Sequence, residues 1–370
     1  MESSKVSTER AAITIYRDDE QEAVLADESP RLLVESPPGS GKTFTAVRLL
    51  ARDVDAGRVS SAQRVLVLTF SRAARAQLDR YAQQLLSPEQ RSRAEITNYH
   101  SFFWSKIWQY RTTLGLPLDL AIATDAEHRQ DVFGAMTRAG LAEPRVRQQS
   151  AAMANYAAAL EYSVAEGRPE RFDQLPEGLA DVAQQLAAVH RGGRIYYDDM
   201  AYYMWRLANE SQTLRELWVH KYAVVILDEY QDASPLQAAI VSRFAPPPHR
   251  VYAFADPLQM IYGWRDASPR RLEDFEGAGA SRHVLRTLHR YRDRPNLQHW
   301  MEQVRDVLLG DRERVDVARP AEVEVIPYDP TLPGGRVRGA TSRELYQLGS
   351  DQFHRPVERR MESADIFAAW

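Results

Sequence analysis

The sequence contains no cysteine, which excludes disulfide bridges, thiolate metal ligands and cysteine nucleophiles anywhere in its 370 residues. No stretch approaches the run of about 18 uncharged apolar residues that a membrane-spanning helix needs. The first ten residues, MESSKVSTER, lack the apolar segment of a secretory leader. From these absences we expect a cytoplasmic protein in a reducing compartment.

Charge of either sign is not in large excess. The net formal charge is −4 and charged residues make up 26% of the chain, as in ordinary soluble domains. This balance excludes a polycation that coats nucleic acid, so any nucleic-acid site must be local. Lysine is scarce, because only four of the 47 basic residues are lysines. A lysine at a chemically demanding position, such as Lys42, is therefore notable.

Length and apolar content predict two or three domains with a sizeable core. Short apolar runs followed by helix-compatible segments predict a doubly wound, parallel α/β sheet. The predicted strands are Arg31–Glu35, Arg64–Phe70, Ala94–Tyr99, Tyr222–Asp228, Arg250–Ala255 and His283–Leu288, and the helices after the first two are Lys42–Arg52 and Arg72–Leu86.

Residues 101–215 show helical patterns separated by glycine and proline breaks, and no convincing strand pattern. They predict an all-helical insertion that divides an α/β domain into residues 11–100 and 216–285. The predicted helices of the insertion are Glu127–Ala139, Arg147–Ser163, Leu179–Arg191 and Asp198–Asn209. Residues 286–370 begin another domain, with a helix at Asn296–Leu309 and a strand-like run at Glu322–Tyr328.

A phosphate-binding loop is predicted directly after the first strand, where the helix begins. Glycines let backbone N–H groups curl around phosphate oxygens, and the helix N-terminus favours negative charge. The lysine would reach the β- and γ-phosphates, and the threonine hydroxyl would bind magnesium. The nucleotide-binding residues of this loop are Ser36, Pro38, Gly39, Ser40, Gly41, Lys42 and Thr43. A Gly/Pro turn without a ligand is the alternative, and Ser36 departs from the usual glycine.

Two acids, Asp228 and Glu229, end the apolar run Val224–Leu227. Ligands of α/β sheets bind at this carboxyl edge of the strands. Asp228 can bind magnesium while Glu229 polarises the attacking water. An acidic pair that caps the next helix is the alternative interpretation.

With the segments that follow these acids, the chain resembles the UvrD/Rep/PcrA-type superfamily 1 helicases. Seven segments of that family occur in order, over about residues 15–295. They are Gln21, Ser36–Thr43, Thr69–Ala74, Tyr99–Phe102, Asp228–Asp232, Ala255–Ala267 and Arg290–Arg292. The resemblance implies a P-loop, RecA-like first motor domain with a helical insertion, and a partial second RecA-like domain.

The resemblance also implies roles around ATP. Gln21 would read the adenine edge, and Tyr291 would stack on the adenine. Gln259 would sense the γ-phosphate, and Arg292 would act as an arginine finger from the second motor domain. Phe44 would lie beside the base, at the position where the family usually has an arginine.

A path for single-stranded DNA is implied in the same way. Its stacking platforms would be Phe70, Tyr262 and Trp264, and its strand-lining or supporting residues would be Arg72, His100 and Arg265. Phe70 could instead belong to the core, and His100 could be an ordinary packed histidine. The arginines from Arg129 to Arg147 could contact duplex DNA or form a solvated helix face.

The implied function is an ATP- and magnesium-dependent translocase or helicase on single-stranded DNA or on a junction with duplex DNA. Family membership implies 3′ to 5′ movement and work in repair, recombination or defence. Later segments of the family are not found, so a second hypothesis is a helicase-like regulatory subunit that binds ATP and DNA without unwinding alone. A partner protein would then supply or regulate the second motor domain. A P-loop small-molecule kinase is a third hypothesis, which leaves the Gln259–Trp264 segment unexplained.

Overall fold

The computed structural model describes residues 18–139, 179–197, 199–259, 270–321 and 323. The chain divides into two compact units, Met1–Thr287 and Leu288–Trp370. Within the described ranges, none of the helices combines the length and the apolar character that a membrane span requires.

A six-stranded sheet forms the centre of the first unit. Its strand order is β3-β2-β6-β7-β1-β8, and every neighbouring pair is parallel. The strands are β1 Arg31–Glu35, β2 Arg64–Thr69, β3 Ala94–Asn98, β6 Tyr222–Leu227, β7 Arg250–Ala255 and β8 Ser281–Val284. The predicted parallel α/β sheet is therefore confirmed.

The last strand differs from the prediction His283–Leu288, because it begins and ends earlier. The backbone N–H groups of Arg286 and Thr287 donate to the Glu20 carboxylate, at 2.6 and 3.0 Å. These two residues are thus held by a side chain instead of a neighbouring strand, a contact between distant parts of the chain that strand periodicity does not encode.

Helices cover both faces of the sheet, which is why the inner strands β2, β6, β7 and β1 bury apolar side chains on both faces. Leu32 and Val34 of β1 pack into one apolar cluster, whereas Leu33 packs into the other. The described helices of the first unit are Asp19–Ala26, Lys42–Asp55, Arg72–Leu85, Pro88–Arg93, Tyr99–Gln109, Asp125–Arg138, Leu179–Arg191, Asp199–Glu210, Gln212–Lys221, Pro235–Phe244 and Arg270–Gly277. In the second unit the described helix is Pro295–Leu309.

The expectation of an all-helical insertion needs one correction. Strands β4, Ala121–Ile122, and β5, Arg194–Ile195, form a small parallel pair. Two residues are too few to show an alternating pattern, so the sequence could not reveal them. The predicted helix Arg147–Ser163 lies outside the described residues, as does nearly all of the strand-like run Glu322–Tyr328.

A buried carboxylate anchors the far end of the helix Lys42–Asp55. Asp53 accepts hydrogen bonds from the Tyr252 hydroxyl at 2.6 Å, from Arg58 at 2.7 Å and from Arg52 at 3.0 Å. Burial and the Asp53 charge raise the pKa of Tyr252 to about 12. The network ties the helix to β7 and thereby holds the phosphate loop at its other end.

Replacing this carboxylate should destabilise the fold. We expect Asp53→Ala to lower the free energy of unfolding by about 3–5 kcal/mol, because it leaves buried donors without their acceptor. The matched control is Asp79→Ala, which removes an exposed ion pair with Arg75 at 3.7 Å and should cost less than about 0.5 kcal/mol. Urea denaturation of both variants measures the difference, and equal losses would contradict the anchoring role.

Candidate functional site

The loop between β1 and the helix Lys42–Asp55 has the backbone of a phosphate cradle. Gly39 and Gly41 have φ values of 88° and 86°, a region that favours glycine. Ser36 is not among the positive-φ residues, so a side chain is tolerated at that position. Its N–H donates to the carbonyl of Ala255 at 2.9 Å and extends the parallel pairing beyond β1. The loop therefore delivers a helix N-terminus to the carboxyl edge of the sheet.

Lys42, the first residue of that helix, meets both acids at the end of β6. Its Nζ forms an ion pair with the Glu229 carboxylate and lies 3.5 Å from Asp228 Oδ1. Burial by itself lowers the pKa of Lys42, but the two carboxylates outweigh it and raise the pKa. A lysine and two adjacent acids that lie far from it in sequence thus form one charged cluster.

Asp228 is the more deeply buried of the two acids. Its Oδ2 accepts a hydrogen bond from the Thr69 hydroxyl at 2.9 Å, and its N–H donates to the Leu68 carbonyl at 2.8 Å. Burial raises its pKa, and the attraction of Lys42 only partly offsets this effect. The end of β2 therefore fixes the carboxylate next to the phosphate loop.

Glu229 has a strained backbone and a polar side-chain environment. Its φ of 56° lies in the left-handed region, which costs a non-glycine residue about 1–3 kcal/mol. Burial acts to raise its pKa, but Lys42 and a hydrogen bond from Gln231 outweigh burial and lower the pKa. The side chain is therefore held as a carboxylate, the form that can polarise a water molecule.

Gln231 connects these acids to the turn after β7. Its amide nitrogen donates to Glu229 Oε2 at 2.9 Å, and its amide oxygen accepts from the Asp256 N–H at 3.1 Å. The Asp256 carboxylate in turn accepts from the Gln259 amide at 2.7 Å. Gln259, a predicted γ-phosphate sensor, is thus linked to the acid cluster through Gln231 and Asp256, which lie in two of the motif segments but received no role of their own from the sequence.

Gln21 packs against the phosphate loop. It is buried in the helix Asp19–Ala26, and its amide nitrogen donates to the Ser40 carbonyl at 3.0 Å. The Phe44 ring lies on the helix that follows the loop, with the Arg48 guanidinium 5.5 Å from its centroid. The resemblance leads one to expect an arginine at the position of Phe44. Arg48, which the sequence analysis did not identify, places a cation one helical turn after that position.

A magnesium ion would find suitable donors here. The Thr43 hydroxyl and the Asp228 carboxylate are the hard oxygen ligands that magnesium prefers. The described residues contain no group of three or more His, Asp or Glu side chains that could hold a metal. The remaining positions would belong to phosphate oxygens and water, which is the usual arrangement for magnesium bound with a nucleotide.

Three of the predicted DNA residues lie near the carboxyl edge of β2 and β3. Phe70 directly follows β2, and its half-buried ring has its centroid 4.8 Å from that of Tyr99. Arg72 is exposed at the start of its helix, and the His100 ring meets the Tyr197 ring edge-on at 5.8 Å. Tyr197 is 46% exposed and was missed, because an isolated exposed aromatic carries no periodic signal.

The remaining predicted residues fall into two groups. Tyr262, Trp264 and Arg265 lie outside the described residues. Tyr291 and Arg292 belong to the second unit, where His289–Tyr291 forms one short 3-10 turn and Arg292 follows it.

Comparison with known proteins points to one helicase family. A profile of the UvrD/REP helicase N-terminal domain matches residues 17–278. The ATP-dependent DNA helicase UvrD2 of Mycobacterium tuberculosis is 27% identical over 312 residues, covering 76% of this chain and 42% of the relative. The ATP-dependent DNA helicase PcrA of Staphylococcus aureus is 23% identical over 269 residues, covering 72% of this chain and 36% of the relative. The chain thus spans less than half the length of these relatives.

Gly41, the positive-φ glycine directly before the helix, gives a direct test of the cradle. We expect Gly41→Ala to destabilise the protein by about 1–2 kcal/mol and also to weaken ATP binding, because its φ of 86° disfavours a side chain at the helix start. Gly57→Ala is the matched control, with a φ of 69° and no neighbour within 4 Å of the added Cβ. It should cost similar stability and leave ATP affinity unchanged in calorimetric titration. If Gly41→Ala and Gly57→Ala changed ATP affinity equally, the backbone geometry at Gly41 would have no specific role in ATP binding.

Proposed function

The chain belongs to the UvrD/REP helicase family, and on this basis we propose that it is the ATP-hydrolysing part of a motor that moves along single-stranded DNA. The observation that carries the proposal is the cluster of Lys42, Asp228 and Glu229 beside the phosphate loop. A loop for phosphates, a carboxylate for magnesium and a second carboxylate for water are the groups that ATP hydrolysis requires.

Nucleotide binding would rearrange this cluster. In the structure Lys42 contacts the carboxylates of both acids. The β- and γ-phosphates carry more negative charge and would take Lys42 from Glu229, so that the freed carboxylate can accept a proton from the attacking water. Magnesium, held by Thr43 and Asp228, would neutralise charge that develops on the phosphate oxygens. ATP binding would thus itself activate Glu229 as the base, because the same phosphates that bind Lys42 remove it from the Glu229 carboxylate.

We assign the remaining ATP-site residues by the same reasoning. Gln21 would hold the adenine edge from its place against the loop, and Phe44 would lie beside the base. Gln259 would report the γ-phosphate. Tyr291 and Arg292 of the second unit would stack on the base and stabilise transition-state charge. On this proposal, residues 11–100 and 216–285 form the first motor domain, 101–215 its insertion and 286–370 the opening of the second.

The DNA path would use the carboxyl edge of β2 and β3. Phe70, Arg72 and His100 follow these strands, and Tyr197 adds an exposed ring beside His100. Tyr262, Trp264 and Arg265 would continue the path. We propose 3′ to 5′ movement on single strands or strand–duplex junctions, in repair, recombination or defence.

The first test is the ATPase rate with and without single-stranded DNA. We expect Glu229→Gln to lower turnover by about 10²–10⁴-fold while ATP binding persists, since the amide cannot accept the proton of the attacking water. Glu28→Gln is the control, because this exposed carboxylate pairs with Arg58 away from the cluster. An unchanged rate in Glu229→Gln would remove the residue from the mechanism.

The same measurement separates the alternatives. DNA-stimulated hydrolysis supports the motor. Tight binding of ATP and DNA without turnover would instead support the helicase-like regulatory subunit, and transfer of phosphate to a nucleoside or sugar would support a small-molecule kinase.

A second prediction concerns the DNA path. We expect Tyr197→Ala to weaken single-stranded DNA binding by about 1–3 kcal/mol, or about 5- to 150-fold, because the ring would stack on a base. Trp108→Ala is the control: this tryptophan is 49% exposed at the other end of the helix that carries His100, and Arg111 stacks on it at 4.3 Å. Fluorescence anisotropy with a labelled oligonucleotide measures both. Equal losses would place Tyr197 off the path.

A further inference from the structure

The Gln231 side chain is buried at 1% exposure, although its amide is polar at both ends. Such a group is stable in the interior only when its donors and acceptors are satisfied. The nitrogen donates to Glu229 Oε2 at 2.9 Å, and the oxygen accepts from the Asp256 N–H at 3.1 Å. The amide therefore spans two turns that follow neighbouring strands, β6 and β7.

These partners define the orientation of the amide. A carboxylate only accepts hydrogen bonds and a backbone N–H only donates, so a flipped amide would lose both contacts. The nitrogen must face Glu229 and the oxygen must face Asp256. Gln231 is consequently a bridge of fixed direction, and its length suits the gap between the two turns.

The bridge continues to the predicted γ-phosphate sensor. Asp256 Oδ1 accepts from the Leu258 N–H at 3.1 Å, and Oδ2 accepts from the Gln259 amide at 2.7 Å. With the ion pair between Lys42 and Glu229, this forms a continuous polar chain from the phosphate loop to Gln259. A displacement of Lys42 can therefore change the position of Gln259, because each residue of the chain shares a hydrogen bond or an ion pair with the next.

We propose that Gln231 is a positioning residue for ATP hydrolysis, which holds the Glu229 carboxylate in its water-polarising orientation and ties that orientation to the turn of Gln259. The inference rests on the proposed function. When phosphates draw Lys42 away, Glu229 Oε1 loses its ion-pair partner, and the amide of Gln231 keeps Oε2 in place. The Glu229 carboxylate is then free of Lys42 and still held in its orientation by Gln231.

The test is Gln231→Met, which keeps the length of the side chain and removes both hydrogen bonds. We expect kcat for ATP to fall on the order of 10²-fold with little change in KM, because a misplaced base affects the chemical step more than binding. Gln237→Met is the matched control. Gln237 is also buried and hydrogen-bonded, but it caps the helix Pro235–Phe244, so its loss should lower stability and leave kcat unchanged.

A double-mutant cycle distinguishes positioning from general damage. If Gln231 acts through Glu229, then Gln231→Met should cause no further loss of kcat in the Glu229→Gln background. A full additional loss there, a rise in KM with unchanged kcat, or an unchanged kcat in the single variant would each overturn the proposal. Should Gln231→Met fail to fold, Gln231→Asn keeps the amide but cannot span the gap, and the same outcomes apply to it.

A crystal structure of the variant keeps this inference separate from the proposed function. Absence of hydrolysis in the wild-type chain, with and without DNA, would contradict the motor. The positioning of Glu229 is then judged from coordinates alone. We expect the carboxylate to leave its wild-type place in Gln231→Met, and an unmoved carboxylate would refute the role of the amide.

Discussion

The ion pair between Lys42 and Glu229, with Asp228 beside it, is the contact on which the rest of the site depends. It joins the start of a helix to the end of a strand that lies 187 residues away in sequence. The parallel sheet, in which β7 lies between β1 and β6, brings these groups to one edge. The same cluster explains the opposite pKa directions of the two acids: burial prevails at Asp228, whereas at Glu229 the effect of burial is outweighed by Lys42 and the Gln231 amide together.

Structural supports extend from this contact in two directions. At the far end of the phosphate-loop helix, Asp53 binds Tyr252 and two arginines, so the helix is held at both of its ends. On the other side, Gln231 and Asp256 connect Glu229 to Gln259. The strained φ of Glu229 is tolerated because Lys42 and Gln231 hold its side chain from two sides. These contacts hold the helix and Glu229 in place, which suits a site where a phosphate group would replace Glu229 as the partner of Lys42.

Motifs with a fixed spacing could be located from sequence because each is a local piece of chain. The phosphate loop needs glycines at the positions of Gly39 and Gly41, where φ is positive, and the acids directly follow an apolar run. Five of the six strands of the sheet were predicted to within one residue at either end for the same reason. Gln231 and Asp256 lie within recognised motif segments, but the sequence does not reveal that their side chains join Glu229 to Gln259, because those contacts link separate turns of the folded chain.

The sequence by itself determined the fold class, the family resemblance and the residue types at the candidate site, since apolar runs, glycines and paired acids act through neighbours along the chain. The tertiary structure decided that Lys42 contacts both carboxylates, how Gln259 is connected to Glu229, and that Tyr197 lies beside His100. It also revealed the pairing of β4 with β5 and the early end of β8, where Glu20 binds the following backbone. These features depend on contacts between distant segments, and such contacts exist only once the sheet has formed.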